Sequence, residues 1–295
     1  MNFVKTKHPP YADHFRDLCA QNAIKKIAVA VSGGRDSMAL LHSIFQFSTQ
    51  SDIKLIALTV DHHLRPESTS EAEAVAQWCA QQGLSHHTLN WPSGSAPQSG
   101  LQEAAREARY HLIGEFCRAE DIKMIALGHQ HDDNIETFFM RLKRGSSLKG
   151  LSAMKSVREQ EGLIFVRPFL MSVEPLIDRR WTTQYCDAHH IPFADDPSNE
   201  DRGYERIAIR KAIEEISENN LINRSATALS IRRLARAERL IQNLVVDKIN
   251  QDLIRFDLGY VEIMRETMLS CPAEIALRIL GHIIQYIGGT ERPPR

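Results

Sequence analysis

The chain has 295 residues, 43% of them hydrophobic and 25% charged, a composition typical of a globular protein large enough for more than one folding unit. Its net charge of −1 excludes a globally basic nucleic-acid-binding protein. The five cysteines are widely spaced, which argues against a zinc ribbon, a redox pair or a bound cluster and favours a reducing cytoplasm. No apolar run approaches about 18 residues, so we predict no membrane span and no signal peptide.

A buried strand, a glycine turn and a helix are predicted in succession near the start of the chain. Ile27 to Val31 form a short β-branched apolar run, and Met38, Leu41 and Phe45 recur at helical spacing. The residues between them, 32–37, read SGGRDS. Glycines let a backbone approach a ligand closely, and the amide groups at the start of a helix attract anions. The turn therefore predicts a phosphate site.

The alternative is an ordinary strand-to-helix turn in which Asp36 or Ser37 caps the helix. The spacing matches neither the G-x-x-x-x-G-K-S/T loop nor the G-x-G-x-x-G turn. Asp36 would also repel a phosphate unless a divalent cation lay between them. We therefore expect a polyphosphate bound together with Mg²⁺.

Strands continue to alternate with helices as far as about residue 144. Strands are predicted at 53–60, 86–91 and 122–128, and helices at 68–82, 101–120 and 132–144. This alternation predicts an α/β fold with a doubly wound parallel sheet, in which ligands bind beyond the carboxyl ends of the strands. Asp36, Asp61 and residues 129–136 each follow a strand directly, so we expect them to share one crevice.

The order of elements changes after Gly145, and a smaller helical unit is predicted to follow the α/β domain. A loop is predicted at 145–154, a strand at 163–170, helices at 175–189, 204–216 and 225–249, and a turn at 195–199. The apolar stripe of the last helix consists of Ile231, Leu234, Ile241, Leu244 and Val245. Arg232, Arg236 and Arg239 share another face of that helix. This face predicts an RNA-binding surface, with an ordinary solvated surface as the alternative.

A second group of polar residues follows the strand at 122–128 and reads GHQHDDNIET. Asp133 and Glu136 lie three residues apart on one helix face, and a strand end running into a helix can bring His129 beside them. Two carboxylates beside a phosphate site need cations, either Mg²⁺ or the ammonium group of a substrate. The alternative is helix capping by Asp132, with Glu136 complementing the helix dipole.

The same letters permit a zinc site. His129, His131 and Asp133 form an H-x-H-x-D pattern that resembles the start of the metallo-β-lactamase motif. That motif continues with a histidine where this chain has Asn134, and no later ligands follow in order.

Eight segments, in order, resemble the tRNA(Ile)-lysidine synthetases, which belong to the N-type ATP pyrophosphatase (PP-loop) superfamily. They are SGGRDS at 32–37, DHHLR at 61–65, EAAREARY at 103–110, GHQHDDNIETFFMRLKRGS at 128–146, GLSAM at 150–154, RPFL at 167–170, DDPSN at 195–199 and YERIAIRK at 204–211. The resemblance covers about residues 25–215. Many members carry R-N-x-I/V/L-R in the last segment. This chain keeps Arg206 and Arg210 but has Ile207 in place of the asparagine, so that residue's role is not carried over.

The resemblance implies an adenine nucleotide hydrolase-like fold and an ATP-dependent ligation. Free L-lysine would be joined to C2 of the wobble cytidine of a tRNA(Ile) with a CAU anticodon, through an adenylated cytidine, with release of AMP and pyrophosphate. Mg²⁺ would accompany ATP. It also implies a PP-loop domain at 1–218, a long basic linking helix at 219–250 and the start of a helical C-terminal domain at 251–295, with a truncated sequence as one interpretation.

Roles for individual residues follow from the same resemblance. Nucleotide contacts are expected from Ser32, Gly33, Gly34, Arg35, Asp36, Ser37, Asp61, His62, Gly128 and His129. Asp36 is also the expected Mg²⁺ ligand, while Asp133 and Glu136 would bind the lysine ammonium. Arg109, with Arg106, would neutralise phosphate or the adenylated intermediate, and Arg206 would contact AMP or the tRNA. The alternative for each arginine is a surface ion pair worth under about 1 kcal/mol.

Three other functions stay open at this point. A PP-loop thiolase acting on tRNA usually needs extra cysteines, and an amidating synthetase needs an ammonia-producing partner. A non-catalytic ATP-binding regulator would bind ATP and release no pyrophosphate. Charge reversal of the arginine face at 232–239 should weaken tRNA binding and flatten its salt dependence if that face binds RNA. The sequence carries no signal for the oligomeric state.

Overall fold

The computed structural model of the chain describes residues 9–64, 67–92, 100–194, 204–256 and 259–289. The helices are α1 Ala12–Gln21, α2 Arg35–Ser48, α3 Glu67–Gln81, α4 Leu101–Ala119, α5 His131–Lys143, α6 Leu148–Leu151, α7 Arg179–Ala188, α8 Tyr204–Glu218, α9 Arg224–Asp252, α10 Arg265–Ser270 and α11 Ala273–Gly288. The strands are β1 Lys26–Ala30, β2 Lys54–Asp61, β3 Ser85–Asn90, β4 Met124–Leu127, β5 Val157–Gln160, β6 Leu163–Val166, β7 Leu253–Arg255 and β8 Val261–Ile263. Arg65 and the turn predicted at 195–199 lie outside the described residues.

A six-stranded sheet in the order β3-β2-β1-β4-β6-β5 forms the centre of the larger part of the molecule. Five strands are parallel, and only β5 at one edge runs antiparallel, paired with β6. The predicted doubly wound α/β fold is therefore confirmed. The sequence did not predict β5, because three of its four residues are exposed and give it no buried, β-branched run.

Both faces of the central strands are covered, which explains their nearly continuous apolar sequences. In β1, Ile27 and Val29 pack into a core with α1, α2 and α7, whereas Ala28 faces a second core that includes residues of α4. In β4, Met124 and Ile125 divide between the same two cores. Alternate side chains thus anchor helices on opposite faces of one sheet.

The sheet has its topological switch point between β1 and β4, where successive strands change from one side of β1 to the other. From β1 the chain moves outward to β2 and β3, and it then returns to β4 on the other side of β1. Ligands of doubly wound sheets bind where the strand order reverses. The turn at residues 32–37 follows β1, and the polar segment at 128–137 follows β4. The topology therefore places both sequence signals at the strand ends that flank this crevice.

The helix predicted at 175–189 begins later than expected. Asp178 caps α7 by accepting a hydrogen bond from the Trp181 backbone (2.8 Å). The predicted strand at 163–170 ends at Val166 and is followed by a 3₁₀ turn at Pro168–Met171. A short helix, α6, lies inside the loop predicted at 145–154.

The chain divides into two compact units. One comprises Met1–Arg144 and Ala153–Ala228, and the other comprises Gly145–Ser152 and Leu229–Arg295. The division falls inside α9, at residues 228 and 229. The predicted boundaries at 218 and 250 stay predictions.

In the second unit, the apolar face of α9 packs against α11 through Val245, Ile249, Ile275 and Ile279. Leu244, which the sequence assigned to this stripe, is exposed instead. Among the described residues, no helix is both long and apolar enough to cross a membrane.

Candidate active site

The turn between β1 and α2, which we call the phosphate loop (residues 32–37), is shaped by hydrogen bonds within itself. The Ser37 hydroxyl donates to the Gly34 carbonyl (2.7 Å) and accepts from the Ser32 backbone amide (3.1 Å). Gly33 has a φ of +81°, which strongly favours glycine. Gly34 occupies the N-cap of α2 without a side-chain cap, so the alternative in which Asp36 or Ser37 caps the helix is wrong.

The loop leaves backbone amides available at the start of a 14-residue helix. The first intrahelical bond runs from the Met38 amide to the Gly34 carbonyl (3.0 Å). The amide groups before Met38 have no acceptor inside the helix, as at every helix start. Because the helix dipole is positive there, the geometry suits an anionic phosphate.

Gly128, at the end of β4, allows the second segment to lie against this loop. A Cβ atom at Gly128 would lie 3.1 Å from the Asp36 carbonyl oxygen and 3.1 Å from the Ser37 backbone nitrogen. Such contacts are tighter than ordinary van der Waals separation. The direct effect of Gly128 is thus to bring two backbone segments together, and its predicted contact with nucleotide stays a prediction.

The Asp36 carboxylate lies in the first turn of α2 and is held by the facing helix α7. Thr182 Oγ1 donates to Asp36 Oδ1 at 2.5 Å, and the Arg35 guanidinium lies 3.9 Å from the same oxygen. Burial raises the pKa of Asp36 above its ordinary value, although Thr182, Arg35 and Arg179 act to lower it.

The residues of the loop fit a magnesium ion carried by a polyphosphate. Mg²⁺ in proteins is commonly bound by one or two carboxylates together with substrate phosphates. Asp36 supplies a carboxylate beside the helix start, and its side chain stays about one quarter exposed. In the described part of the chain, no three His, Cys, Asp or Glu side chains cluster as a metal site, so a metal here would depend on the nucleotide for further ligands.

Asp61, at the end of β2, is engaged in a turn of its own. Its carboxylate accepts hydrogen bonds from the His63 backbone (2.9 Å) and from the hydroxyls of Ser68 and Thr69 (both 2.8 Å). Burial acts to raise the pKa of Asp61, but these hydrogen bonds lower it below its ordinary value. The observed effect of Asp61 is to join β2 to the start of α3. Its expected contact with adenosine stays a prediction.

Two histidines, His62 after β2 and His129 after β4, are held neutral on either side of β1. Burial and the nearby Arg109 lower the pKa of His62 to about 4, and Arg109 Nη2 lies 3.4 Å from His62 Nε2. Burial, together with Arg167, Arg106, Arg206 and Arg109, lowers the pKa of His129 to about 3. A neutral imidazole among several guanidinium groups leaves the region net positive, which suits an anionic substrate.

The first turn of α5 has a different cap from the one in the capping alternative. Gln130, not Asp132, is the N-cap: its side chain accepts from the Asp132 amide (2.6 Å), and Asp133 Oδ2 accepts from the Gln130 amide (3.1 Å). Asp132 instead accepts from the Arg179 amide (3.0 Å) and from Arg224 Nη1 (2.9 Å). The capping alternative is therefore wrong for Asp132.

Asp133 and Glu136 share one face of α5 as predicted, and arginines of α8 bind them both. Arg206 donates to Glu136 Oε2 (2.6 Å) and to Asp133 Oδ1 (2.9 Å). Arg210 donates to Glu136 Oε1 (2.7 Å), and Arg179 approaches the same oxygen at 3.8 Å. The sequence did not predict these pairs. The i, i+4 spacing of Arg206 and Arg210 indicated a shared face, but not the face of α5.

The pKa values of Asp133 and Glu136 are consequently shifted in opposite directions. Burial acts to raise the pKa of Glu136, but the pairs with Arg210 and Arg206 lower it below its ordinary value. Burial raises the pKa of Asp133 to about 6; Arg206 acts to lower it, while Asp36 and Glu136 add to the increase. Glu136 is therefore firmly ionised, and Asp133 titrates close to neutral pH.

A cavity of about 320 Å³ opens beside Glu136. Its wall includes five arginines and four carboxylate side chains: Arg35, Arg179, Arg180, Arg210, Arg224, Asp132, Glu136, Asp178 and Glu214. Groups of both signs in one cavity can bind a zwitterion. The cavity links the phosphate loop, through Arg35, with Asp132 and Glu136 of α5.

The zinc alternative has no support in this geometry. His131 Nε2 lies 3.2 Å from both the carbonyl oxygen and the hydroxyl of Ser172, so this buried imidazole is engaged inside the fold. Asp133 is engaged by Gln130 and Arg206. The side chains of the H-x-H-x-D pattern thus serve different neighbours.

Comparison with known proteins gives consistent results. A family model described as PP-loop domain matches residues 8–216. A tRNA(Ile)-lysidine synthase of Ruegeria pomeroyi is 38% identical over 96% of this chain and 66% of its own length. One from Rhodopseudomonas palustris is 36% identical over 92% of this chain and 77% of its own length. The chain thus spans just under two thirds of the Ruegeria relative.

A solved structure has a similar fold. The U34-tRNA thiolase NcsA from Methanococcus maripaludis, with its 4Fe-4S cluster, superposes with a TM-score of 0.62 over 77% of this chain and 78% of that chain. The two sequences are 16% identical, so this likeness shows a shared fold alone.

Proposed function

Because the chain belongs to the tRNA(Ile)-lysidine synthase family within the PP-loop proteins, we propose that it ligates free L-lysine to C2 of the wobble cytidine of a tRNA(Ile) with a CAU anticodon. The cytidine oxygen attacks the α-phosphorus of ATP, pyrophosphate leaves, and the lysine ε-amine then displaces AMP. A cytoplasmic location belongs to this proposal, because ATP, lysine and tRNA meet there.

The observation that carries the proposal is the pairing of two unlike sites at one sheet crevice. The phosphate loop follows β1, the carboxylates of α5 follow β4, and these strands are neighbours. A loop that holds a polyphosphate beside acidic groups that hold an amine is what a two-step ligation requires.

In the first step the phosphate loop binds and orients ATP. The amides at the start of α2 hold the phosphates, while Asp36 would hold Mg²⁺. When bound, Mg²⁺ offsets the charge that develops on the transferred phosphorus. Arg109, beside His62, and the other arginines around His129 neutralise the adenylated cytidine. The attacking oxygen belongs to an unpaired base turned into the crevice.

In the second step the α5 carboxylates hold lysine and its proton. The cavity beside Glu136 offers carboxylates for the ammonium and guanidinium groups for the amino-acid carboxylate. Because Arg206 bridges Asp133 and Glu136, the substrate ammonium must displace at least one of its contacts. Only the neutral amine attacks, and free lysine has a pKa near 10.4. Asp133, which titrates nearer neutral pH, is the better acceptor for the released proton.

RNA contacts outside the crevice belong to the same proposal. Arg236 and Arg239 of α9 are exposed and Arg232 is half-buried. These side chains can follow an RNA backbone through phosphate contacts. The oligomeric state is left open by the proposal.

The thiolase alternative receives no support from the four buried cysteines of this chain. Cys19, Cys79 and Cys186 lie in one hydrophobic core and Cys117 in another. Burial raises the pKa of the Cys79 thiol to about 11 and that of the Cys117 thiol to about 12. Reactive cysteines usually have lowered pKa values and partial exposure.

The test is incorporation of labelled lysine into transcripts of tRNA(Ile) that differ only at the wobble base. With ATP and Mg²⁺, the C34 transcript should take up lysine with one pyrophosphate released per lysine. A U34 transcript is the matched control and should take up none. Equal labelling of both transcripts, or ATP binding without any pyrophosphate release, would overturn the proposal and favour the regulator.

A further inference from the structure

Helix α7 contacts both parts of the candidate site, although no motif within it predicted a function. Its first residue, Arg179, donates its backbone amide to Asp132 of α5. Three further residues face α2: Thr182 bonds to Asp36, Tyr185 Oη lies 2.9 Å from His42 Nδ1, and Cys186 Sγ lies 3.7 Å from the Arg35 carbonyl oxygen. The start of α2 is therefore supported from the side by α7.

The Thr182 hydroxyl is the side-chain group of α7 that donates a hydrogen bond to the Asp36 carboxylate. Thr182 is completely buried, and its Oγ1 lies 2.5 Å from Asp36 Oδ1. Oγ1 also lies 3.0 Å from the Arg179 carbonyl, but it has only one proton to donate. That carbonyl already accepts from the Thr183 hydroxyl (2.9 Å) and from the helical amide of Thr183. The proton of Thr182 is therefore better placed on Asp36.

The two oxygens of the Asp36 carboxylate therefore differ in their contacts. Within the described part of the chain, the contacts of the Asp36 side chain, from Thr182 and from Arg35, are both made to Oδ1. Because Thr182 holds Oδ1, the orientation of the Asp36 carboxylate is set. Oδ2 is then the oxygen that can bind a ligand. Groups that orient a metal-binding carboxylate in this way commonly change metal affinity 10- to 100-fold when removed.

We propose that Thr182 is a positioning residue: its hydroxyl fixes Asp36 so that Oδ2 faces the Mg²⁺ of bound ATP. The inference rests on the proposed function, because it assumes that the phosphate loop binds ATP with Mg²⁺. Thr182 itself touches no substrate in this scheme and acts only through Asp36.

The test is the dependence of ATP affinity on Mg²⁺, measured by calorimetry on the full chain. For each protein, ATP is titrated once with Mg²⁺ and once with EDTA, and the ratio of the two affinities is the readout. T182V, which keeps the side-chain volume, should reduce this ratio about tenfold while changing the EDTA affinity less than about twofold. T182S, which keeps the hydroxyl, should retain the wild-type ratio.

T183V is the matched control on the same helix, since Thr183 also donates to the Arg179 carbonyl but does not contact Asp36. It should leave the ATP ratio unchanged. If T182V does not fold, T182A supplies the same comparison. A wild-type ratio in a folded T182V or T182A protein would overturn the inference, as would a T182S ratio as low as that of T182V. Absence of ATP binding by the wild-type chain would instead contradict the proposed function.

Discussion

The phosphate loop and the carboxylates of α5 face one crevice but are stabilised over very different chain distances. The turn of the loop is closed locally, because Ser37 bonds to Gly34 and Ser32, within five residues. Two distant bonds are added to it, from Thr182 to the Asp36 side chain and from the Ala194 amide to the Gly33 carbonyl. In α5, Glu136 is bound by Arg206 and Arg210, which lie 70 and 74 residues further along the chain. A local turn keeps its shape when a distant element moves, whereas a cluster made by two helices depends on their contact. We therefore expect the loop to be rigid and the carboxylates to rearrange on binding lysine.

The largest effect should follow from Asp36→Asn. The variant keeps the shape of the side chain and can still accept from Thr182, but it loses the charge that would bind Mg²⁺. Pyrophosphate release with tRNA and lysine should fall at least about 100-fold, as when one charge-stabilising group is removed from a transition state. Asp52→Asn, at an exposed loop position, is the control and should retain activity. Full activity of Asp36→Asn would remove the loop from the mechanism.

Glu136→Gln should affect stability as well as activity, unlike the change at Asp36. It leaves Arg206 and Arg210 facing a neutral amide. Breaking a buried ion pair costs about 3–5 kcal/mol, and the partial exposure of these arginines reduces the expected loss of unfolding free energy to about 2 kcal/mol. Urea denaturation measures this loss. Glu205→Gln is the control. Glu205 is a partly exposed partner of Lys143 and Arg144 where α8 meets the end of α5, so its replacement should lower the unfolding free energy less.

The pH dependence should distinguish the two carboxylates. Because the pKa of Asp133 is raised to about 6, the folded chain holds this proton more tightly than the unfolded chain. The contribution of Asp133 to stability is then full below about pH 4 and is lost as pH rises through about 6. The lysine-dependent rate should fall as pH drops through about 6, because protonated Asp133 cannot accept the ammonium or its proton.

A rate profile from pH 5 to 8 checks this assignment. The lysine-dependent rate of Asp133→Asn should be lower than that of the wild-type chain, and its pH profile should show no inflection near pH 6. An identical inflection in Asp133→Asn would assign the titration to another group.

The smallest effect should come from Arg210→Lys. Lysine keeps the charge but loses the fixed geometry of the guanidinium, so one hydrogen bond to Glu136 weakens and the unfolding free energy falls by about 1 kcal/mol. Arg206→Lys should cost more, because Arg206 binds both carboxylates. If both variants melt at the wild-type temperature, α8 does not hold the cluster as described.

The sequence predicted well those features that depend on neighbouring residues. The turn at 32–37 and the buried strands before it follow from glycine conformation and apolar patterning, which act over a few residues. Family resemblance added the expected role of Asp36 as a Mg²⁺ ligand, which stays a prediction. The capping alternative placed the cap of α5 at Asp132 because Asp is a good cap, yet Gln130 is the N-cap and Asp132 binds Arg179 and Arg224 instead.

Features that depend on two distant elements could not be predicted. Thr182 and Asp36 are 146 residues apart, and neither helical nor strand periodicity connects them. In the second unit, the sequence placed Leu244 in the buried stripe of α9, whereas Leu244 is exposed and Glu238 is buried. Glu238 is accommodated because Arg278 donates to both of its oxygens (2.7 and 2.8 Å). Hydrophobic patterning does not anticipate a charge buried with such a partner.

The central claim is that the phosphate loop presents the α-phosphorus of ATP to an RNA base. The most direct measurement is the rate of AMP formation from ATP labelled at the α-phosphate, with lysine and Mg²⁺ present, in the presence and absence of the C34 transcript. We predict AMP only with the transcript, and none above background with Asp36→Asn. AMP formed at an equal rate without any RNA would contradict the claim.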